Sequence, residues 1–283
     1  MGEPTNTWIN ETQPTKLNQE HNFCDLKRVE GGVYILNLTG EIQHRFTPKA
    51  IRSIDESLDQ VLRDASACAL ITTNQILDIG WWLMMMAKLF KLCLDILWIN
   101  LNMESGKFFS NGMDVDYIKD CNKQVATEYL QMFQRLVSKL LTFCLPTIAV
   151  IRGHAVGAGF IFALAHDYRL MTSSRGYIFM NEIDLGMSLT PGNMAVLRSK
   201  LPLSTFQEAT LTGKHYDGER AAAAGIVHAT CPIGPKLLEE GINIAMEYKA
   251  RNWKRQVYYA LKMEMFKTTV TELENGEIGF ARM

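Results

Sequence analysis

The chain reads as an α/β protein, and three observations predict it. Val33 to Leu38, Cys68 to Thr72 and Thr147 to Ile151 are short apolar runs, long enough for buried strands and too short for helices. Between them lie longer stretches in which apolar residues recur every three or four positions, the period of a helix. After the third run a series of small residues passes directly into an apolar segment, the pattern of a strand-to-helix turn. With 283 residues, 47% of them hydrophobic, and a net charge of −1, the chain can bury a full core as one domain plus an appendage. So neutral a balance gives no reason to expect nucleic acid as a partner.

Residues 1 to 24 are mostly polar and lack the apolar core of a signal peptide, so they read as a flexible tail. Val33 to Leu38 is the first strand. Thr47-Pro48 marks a helix start, with proline in the first turn, where its missing N–H costs nothing. Ile51, Ile54, Leu58, Val61 and Leu62 then follow at helical spacing and face the core. Cys68 to Thr72 is the next strand. Val125 to Phe143 reads as a long helix, whose stripe of Tyr129, Met132, Phe133, Leu136, Val137 and Leu140 is ordinary core. Leu237 to Tyr248 and Trp253 to Phe266 read as further helices, and Lys254 and Lys262 as solvated helix lysines. The six cysteines show no short paired spacing, so neither a zinc site nor a disulfide framework is predicted and a reducing compartment fits.

Gln75 to Met103 interrupts this order. The stretch is apolar nearly all round, with Trp81, Trp82 and Met84 to Met86 among its residues, as a buried or membrane-lying helix would be. Lys88, Lys91 and Asp95 break it, leaving no uncharged run of the roughly 18 residues that a spanning helix needs, so no membrane span is expected. Three readings stay open for it: a cover for a pocket, a surface for a partner or membrane, and translated non-coding sequence.

Chemistry concentrates between Leu145 and Gly192. Gly153, Ala155, Gly157, Ala158 and Gly159 follow the strand and precede the apolar run Phe160 to Ala165. Small residues there let a ligand approach the backbone, and the N–H groups of the first helical turn face it. A dinucleotide fingerprint is excluded, because Phe162 stands where the third glycine belongs. Close helix packing is the plainer role for Gly157-Ala158-Gly159. Further on, Glu182 ends the apolar run Tyr177 to Met180, a setting in which a partly desolvated carboxylate can serve as a base. A glutamate at a strand end can equally be a solvated edge residue.

Taken in order, these parts resemble the crotonase family, the enoyl-CoA hydratase and isomerase superfamily. Its Pro-Thr-Ile-Ala strand is matched by Pro146-Thr147-Ile148-Ala149, its glycine-rich turn by Gly157-Ala158-Gly159, and its Ala-x-Asp-x strand start by Ala165-His166-Asp167-Tyr168. Its Pro-Glu-x-x-Leu-Gly loop reads Asn181-Glu182-Ile183-Asp184-Leu185-Gly186, with asparagine in place of the proline. Its Phe-Ser-x-Gly-x-Asp motif appears upstream as Phe109-Ser110-Asn111-Gly112-Met113-Asp114. Leu211-Thr212-Gly213 and Ala221 to Val227 are similar to two later parts, so the resemblance spans residues 25 to 266 apart from the insert. FFSNG and the GHA and AHDYRLM segments look most like plant peroxisomal Δ3,Δ2-enoyl-CoA isomerases.

The resemblance implies a spiral of ββα units over residues 25–210, interrupted by the insert 75–103, and a helical C-terminal region over 211–283. It implies an oxyanion hole made by the backbone N–H groups of Met113 and Ala158. It also implies substrate contacts around Ser110, Asn111, Gly112, Asp114, Gly157 and Ile161, although Asp114 reads more readily as a helix cap. The family's hydratases carry two glutamates, of which only Glu182 is present here, the other position being Ile161. A lone acid suits the isomerases, which move a proton from C2 to C4 of an enoyl thioester through an enolate, in fatty acid β-oxidation. The implied partner is an acyl-CoA substrate, with no separate cofactor and no metal, in a homo-trimer. Ala281-Arg282-Met283 resembles a variant of the C-terminal peroxisomal address, and together with the isomerase likeness it points to the peroxisome. A catalytically silent acyl-CoA-binding or scaffold protein of the same fold, a hydratase and an acyl-CoA hydrolase remain the alternatives.

Overall fold

A computed structural model describes residues 23–74, 106–232 and 235–278. The polar tail up to residue 22, the insert 75–103 and the terminal tripeptide lie outside the described residues. Six strands form the main sheet: β1 (Cys24–Arg28), β2 (Val33–Leu38), β3 (Ala69–Asn74), β5 (Thr147–Ile151), β7 (Tyr168–Thr172) and β9 (Ala229–Cys231), in the order β1-β2-β3-β5-β7-β9. All neighbours are parallel except β1, which pairs antiparallel with β2 from Cys24 opposite Leu38 to Arg28 opposite Tyr34. A second, parallel sheet holds β4 (Phe108–Ser110), β6 (His154–Val156) and β8 (Ile178–Phe179). Two passages between the sheets are short: β5 runs into β6 and β7 into β8. The three small strands therefore end together, and the segments that follow them meet.

Both faces of the main sheet are covered, which is why its central strands are apolar without alternation. On one face Val33, Ile35, Ala69, Ile71, Ile148, Val150 and Leu170 pack against Leu237, Ile244 and Ala245 of α8 (Pro235–Ala250). On the other, Leu36, Leu70, Ala149, Ile151 and Met171 join α1 (Pro48–Arg63), α3 (Lys123–Leu141) and α4 (Ala158–Leu164) in the larger core. Thr47 caps α1 by accepting from Ala50 N, and the Pro48 start and the buried Ile51, Ile54, Leu58 and Val61 follow the sequence pattern. Asn122 caps α3, which begins two residues before Val125. The remaining helices are α2 (Val115–Asp120), α5 (Pro191–Lys200), α6 (Leu203–Thr212), α7 (Gly218–Ala223), α9 (Arg255–Met265) and α10 (Lys267–Asn275).

Two expectations need correction. Cys24, expected at the end of the tail, is buried and begins β1, an edge strand whose exposed Asp25, Lys27 and Arg28 hide it from a hydropathy reading. Lys262, read as solvated, is only 4% exposed. Its Nζ sits 2.8 Å from Oδ1 of Asp167, and Oδ2 of Asp167 also accepts from Thr147 N, Thr147 Oγ1 and Tyr258 OH. Nζ donates to Phe143 O as well, so α9 is fastened to the starts of β5 and β7 and to the end of α3. Removing one partner of a buried pair leaves the other charge uncompensated. Lys262→Met is therefore expected to destabilise the fold by about 3–5 kcal/mol, and the double variant with Asp167→Asn to recover most of that, both read by urea denaturation.

Candidate active site

The turn after β4 is held by a strap from residues 43–46. Asn111 N donates to Gln43 O at 2.8 Å, Asn111 Nδ2 to Gln43 Oε1 at 2.7 Å, and Phe46 N to Gly112 O at 2.8 Å. Ser110 Oγ donates to His44 O at 2.7 Å and accepts from Gly112 N at 3.1 Å. Asp114 N donates to Tyr129 OH at 3.0 Å, and that hydroxyl donates onward to Phe46 O. The N–H groups at 111, 112 and 114 are thus all engaged, whereas that of Met113 has no acceptor among the described residues. A backbone amide held so firmly on both sides and left unmatched is a donor available to a ligand.

The second donor lies beside it. Gly157, at φ 52°, turns the chain from β6 into α4, and its own N–H is used by Phe179 O at 3.0 Å. The next N–H, of Ala158, has no acceptor among the described residues. A Cβ on Gly112 would lie 3.2 Å from that Ala158 nitrogen and 2.8 Å from Val156 O, so the Met113 turn is pressed against the start of α4. The small residues of this run are required for different contacts. Gly159 is there for packing, since a Cβ on it would stand 2.3 Å from Ser110 O, whereas Gly157 leaves room for an acid.

That acid is Glu182. A Cβ on Gly157 would lie 2.9 Å from Glu182 Oε1 and 3.1 Å from Asn181 Oδ1. The loop carrying them is closed by Leu185 N to Asn181 O at 3.1 Å and Met187 N to Glu182 O at 2.9 Å, which fix the backbone behind both side chains. The other carboxylate oxygen, Oε2, is sealed from solvent and has no hydrogen-bond partner among the described residues. Burial pushes the Glu182 carboxyl up to about 7, against the pull of the backbone N–H groups of Glu182 and Asn181. An acid with that pKa, beside two free amides, can take and return a proton near neutral pH while an oxyanion is stabilised.

The other expected site residues divide. Gly112 and Gly157 shape the site. Ser110 and Asn111 turn their polar side-chain groups to the strap, and Asp114 caps α2 by accepting from Tyr117 N while it pairs with Arg45 at 3.4 Å. Ile161 is fully buried in the larger core and brings no polar group. Among the described residues no three His, Cys, Asp or Glu side chains come together as a metal would need, and no helix is long and apolar enough to cross a membrane. Two residues escaped the sequence reading. Tyr129 looked like one more member of a core stripe, and its hydroxyl at the Met113 turn could not be seen from spacing. Asn181 registered only as a missing proline.

Relatives bear on this arrangement. The family model described as enoyl-CoA hydratase/isomerase matches residues 99–278, more than half of the chain. The chain is 29% identical over 255 residues to enoyl-CoA delta isomerase 2, peroxisomal, of Arabidopsis thaliana, covering 86% of this chain and 92% of that protein. It is likewise 29% identical over 250 residues to enoyl-CoA delta isomerase 3 of the same plant, with the same coverage. Among solved structures, a probable enoyl-CoA hydratase from Mycobacterium tuberculosis superposes with a TM-score of 0.73 at 19% identity, over 90% of this chain and 92% of that one. This is a member of the enoyl-CoA hydratase/isomerase family, with the crotonase fold.

Proposed function

We propose that the chain is a Δ3,Δ2-enoyl-CoA isomerase of fatty acid β-oxidation, with Glu182 as its single acid–base group. The observation that carries this is the convergence of one desolvated carboxylate and two unmatched backbone amides around Gly157 and Gly112. The thioester oxygen of a 3-enoyl-CoA accepts from the N–H groups of Met113 and Ala158. Glu182 takes a proton from C2, the electrons pass into an enolate on that oxygen, and the same acid returns the proton at C4. Ile161, where a second acid would stand, leaves the carboxylate as a proton carrier rather than half of a pair. The two plant relatives named as delta isomerases support the choice of reaction.

The reading extends to place and assembly. One of those relatives is named as peroxisomal, which supports the peroxisome. On α9, Val257, Tyr259, Leu261 and Met265 are between 45% and 71% exposed, apolar surface that a homo-trimer would cover. A solution mass of three chains by sedimentation is expected; a monomer at micromolar concentration would discard the trimer.

Conversion of 3-enoyl-CoA to 2-enoyl-CoA by the full chain tests the main proposal. Glu182→Gln is expected to lower kcat about 100-fold or more, since the amide cannot carry the proton. The reading is lost if that variant retains wild-type kcat. For the wild type, kcat/KM should fall about tenfold per pH unit below about 7, because the base is protonated there. Stability has the opposite sign: a carboxyl raised above its ordinary value costs stability as pH rises through that interval. At pH 8, Glu182→Gln should therefore stabilise the fold by roughly 1–3 kcal/mol, at about 1.4 kcal/mol per pKa unit, read by denaturant midpoint.

A further inference from the structure

A cleft of about 450 Å³ lies apart from the chemistry at Glu182, and its volume is in the range of small-molecule sites. Its floor is the backbone leading into β3 and β5, residues 65–68 and 144–146. Its walls are the end of α8, the start of α9 and the turn between them. Pro146 precedes β5 whereas Gly157 follows β6, so the length of two strands separates the cleft from the acid and its amides. The proton shuttle makes no use of it.

Three cations line the cleft, Lys249, Lys254 and Arg255, and no aspartate or glutamate does among the described residues. None of the three forms an ion pair there, because the carboxylates that adjoin the walls are already taken. Asp64 is held by Arg28, Tyr34 and Ser66, and Asp167 by Lys262, Tyr258 and Thr147. Arg255 is fixed in place by backbone alone, its Nη2 donating to Asp64 O and to Ala67 O, each at 2.6 Å. Two carbonyls orient the guanidinium without cancelling its charge. The cleft therefore carries positive charge that no group of the protein neutralises.

Aromatic rings share the same walls. Trp253 has the ring of Tyr248 and that of Tyr258 each at 5.6 Å between centroids, lies within 19° of parallel to Tyr258, and is itself 44% exposed. An indole held at the surface by two tyrosines offers a flat apolar face for stacking. Lysine and arginine bind phosphate oxygens through charge-assisted hydrogen bonds. Rings and unmatched cations in one cleft select a ligand that is both flat and anionic. We propose that this cleft is a second ligand site, which binds a mononucleotide with its base against Trp253 and its phosphate held by Lys249, Lys254 and Arg255.

Titration calorimetry of the full chain with adenosine 5′-monophosphate tests this, beside inorganic phosphate and adenosine as its two halves. The nucleotide is expected to fill one saturable site, and each half to bind at least about tenfold more weakly, since each engages one set of contacts. The double variant Lys249→Glu, Lys254→Glu should weaken the nucleotide about tenfold or more and leave adenosine unchanged. Trp253→Leu should weaken nucleotide and adenosine alike, by about tenfold. These three side chains are exposed, so the variants are expected to keep the wild-type denaturation midpoint, which is measured alongside. The proposal is overturned if the nucleotide does not bind at millimolar concentration, if phosphate alone binds as tightly, or if the charge-reversed variant binds the nucleotide as wild type does.

Discussion

The molecule depends on a backbone approach that leaves no space for side chains. Where α4 begins, three segments come within contact of one another: the turn after β4, the turn after β6 and the loop after β8. A methyl group at 159 would stand 2.3 Å from the carbonyl oxygen of Ser110, closer than any real contact, and one at 157 would strike the carboxylate of Glu182. Hydrophobic burial supplies the force that presses the segments together, since Phe109, Phe160 and Phe162 are all fully buried around them. The missing side chains set how near the segments come.

That nearness has an electrostatic consequence. Drawing the loop after β8 against Gly157 strips water from Glu182, and its Oε2 finds no substitute partner among the described residues, so the charged form is penalised and the pKa rises. The same approach leaves the amides of Met113 and Ala158 with no carbonyl to meet among the described residues. Poor matching is costly in a core, where an unpaired buried polar group costs about 1–3 kcal/mol. It persists where surrounding bonds over-determine the geometry, and here the 43–46 strap and the Tyr129 hydroxyl do so. His166 contributes from behind: its ring joins Phe162 O at 3.0 Å to Thr72 Oγ1 at 2.8 Å, and burial lowers its pKa to about 3, so it ties α4 to β3 as a neutral ring.

Much of this was legible in the sequence, for local reasons. Thr47-Pro48, Val33 to Leu38 and Thr147 to Ile151 are encoded by caps and short apolar runs, and they form as read. The strand read from Cys68 runs instead from Ala69 to Asn74, because Thr73 and Asn74 are polar yet buried, Thr73 donating to Val150 O and Asn74 to Gly106 O. The motif order brought out Glu182 and the two amide positions, and the fold sets them beside one another. What spacing could not carry was partnership between distant residues. Lys262 and Asp167 are 95 positions apart, Tyr129 and Phe46 83. A buried lysine and a solvated one look alike until the chain is folded.

The same distinction explains where this chain can vary its chemistry. A carboxylate at 161 would enter the packed core with Phe160 and Phe162 on either side, at a position with no exposed surface, so a second acid there would require the surrounding core to change with it. Asn181 is different. It sits at the rim of the site on a turn closed by its own backbone bonds, half-exposed, where an amide can replace proline without burying a charge or breaking a helix. Polar function is therefore easier to gain at the loop than in α4, since the loop lies at the surface whereas every residue of α4 is buried.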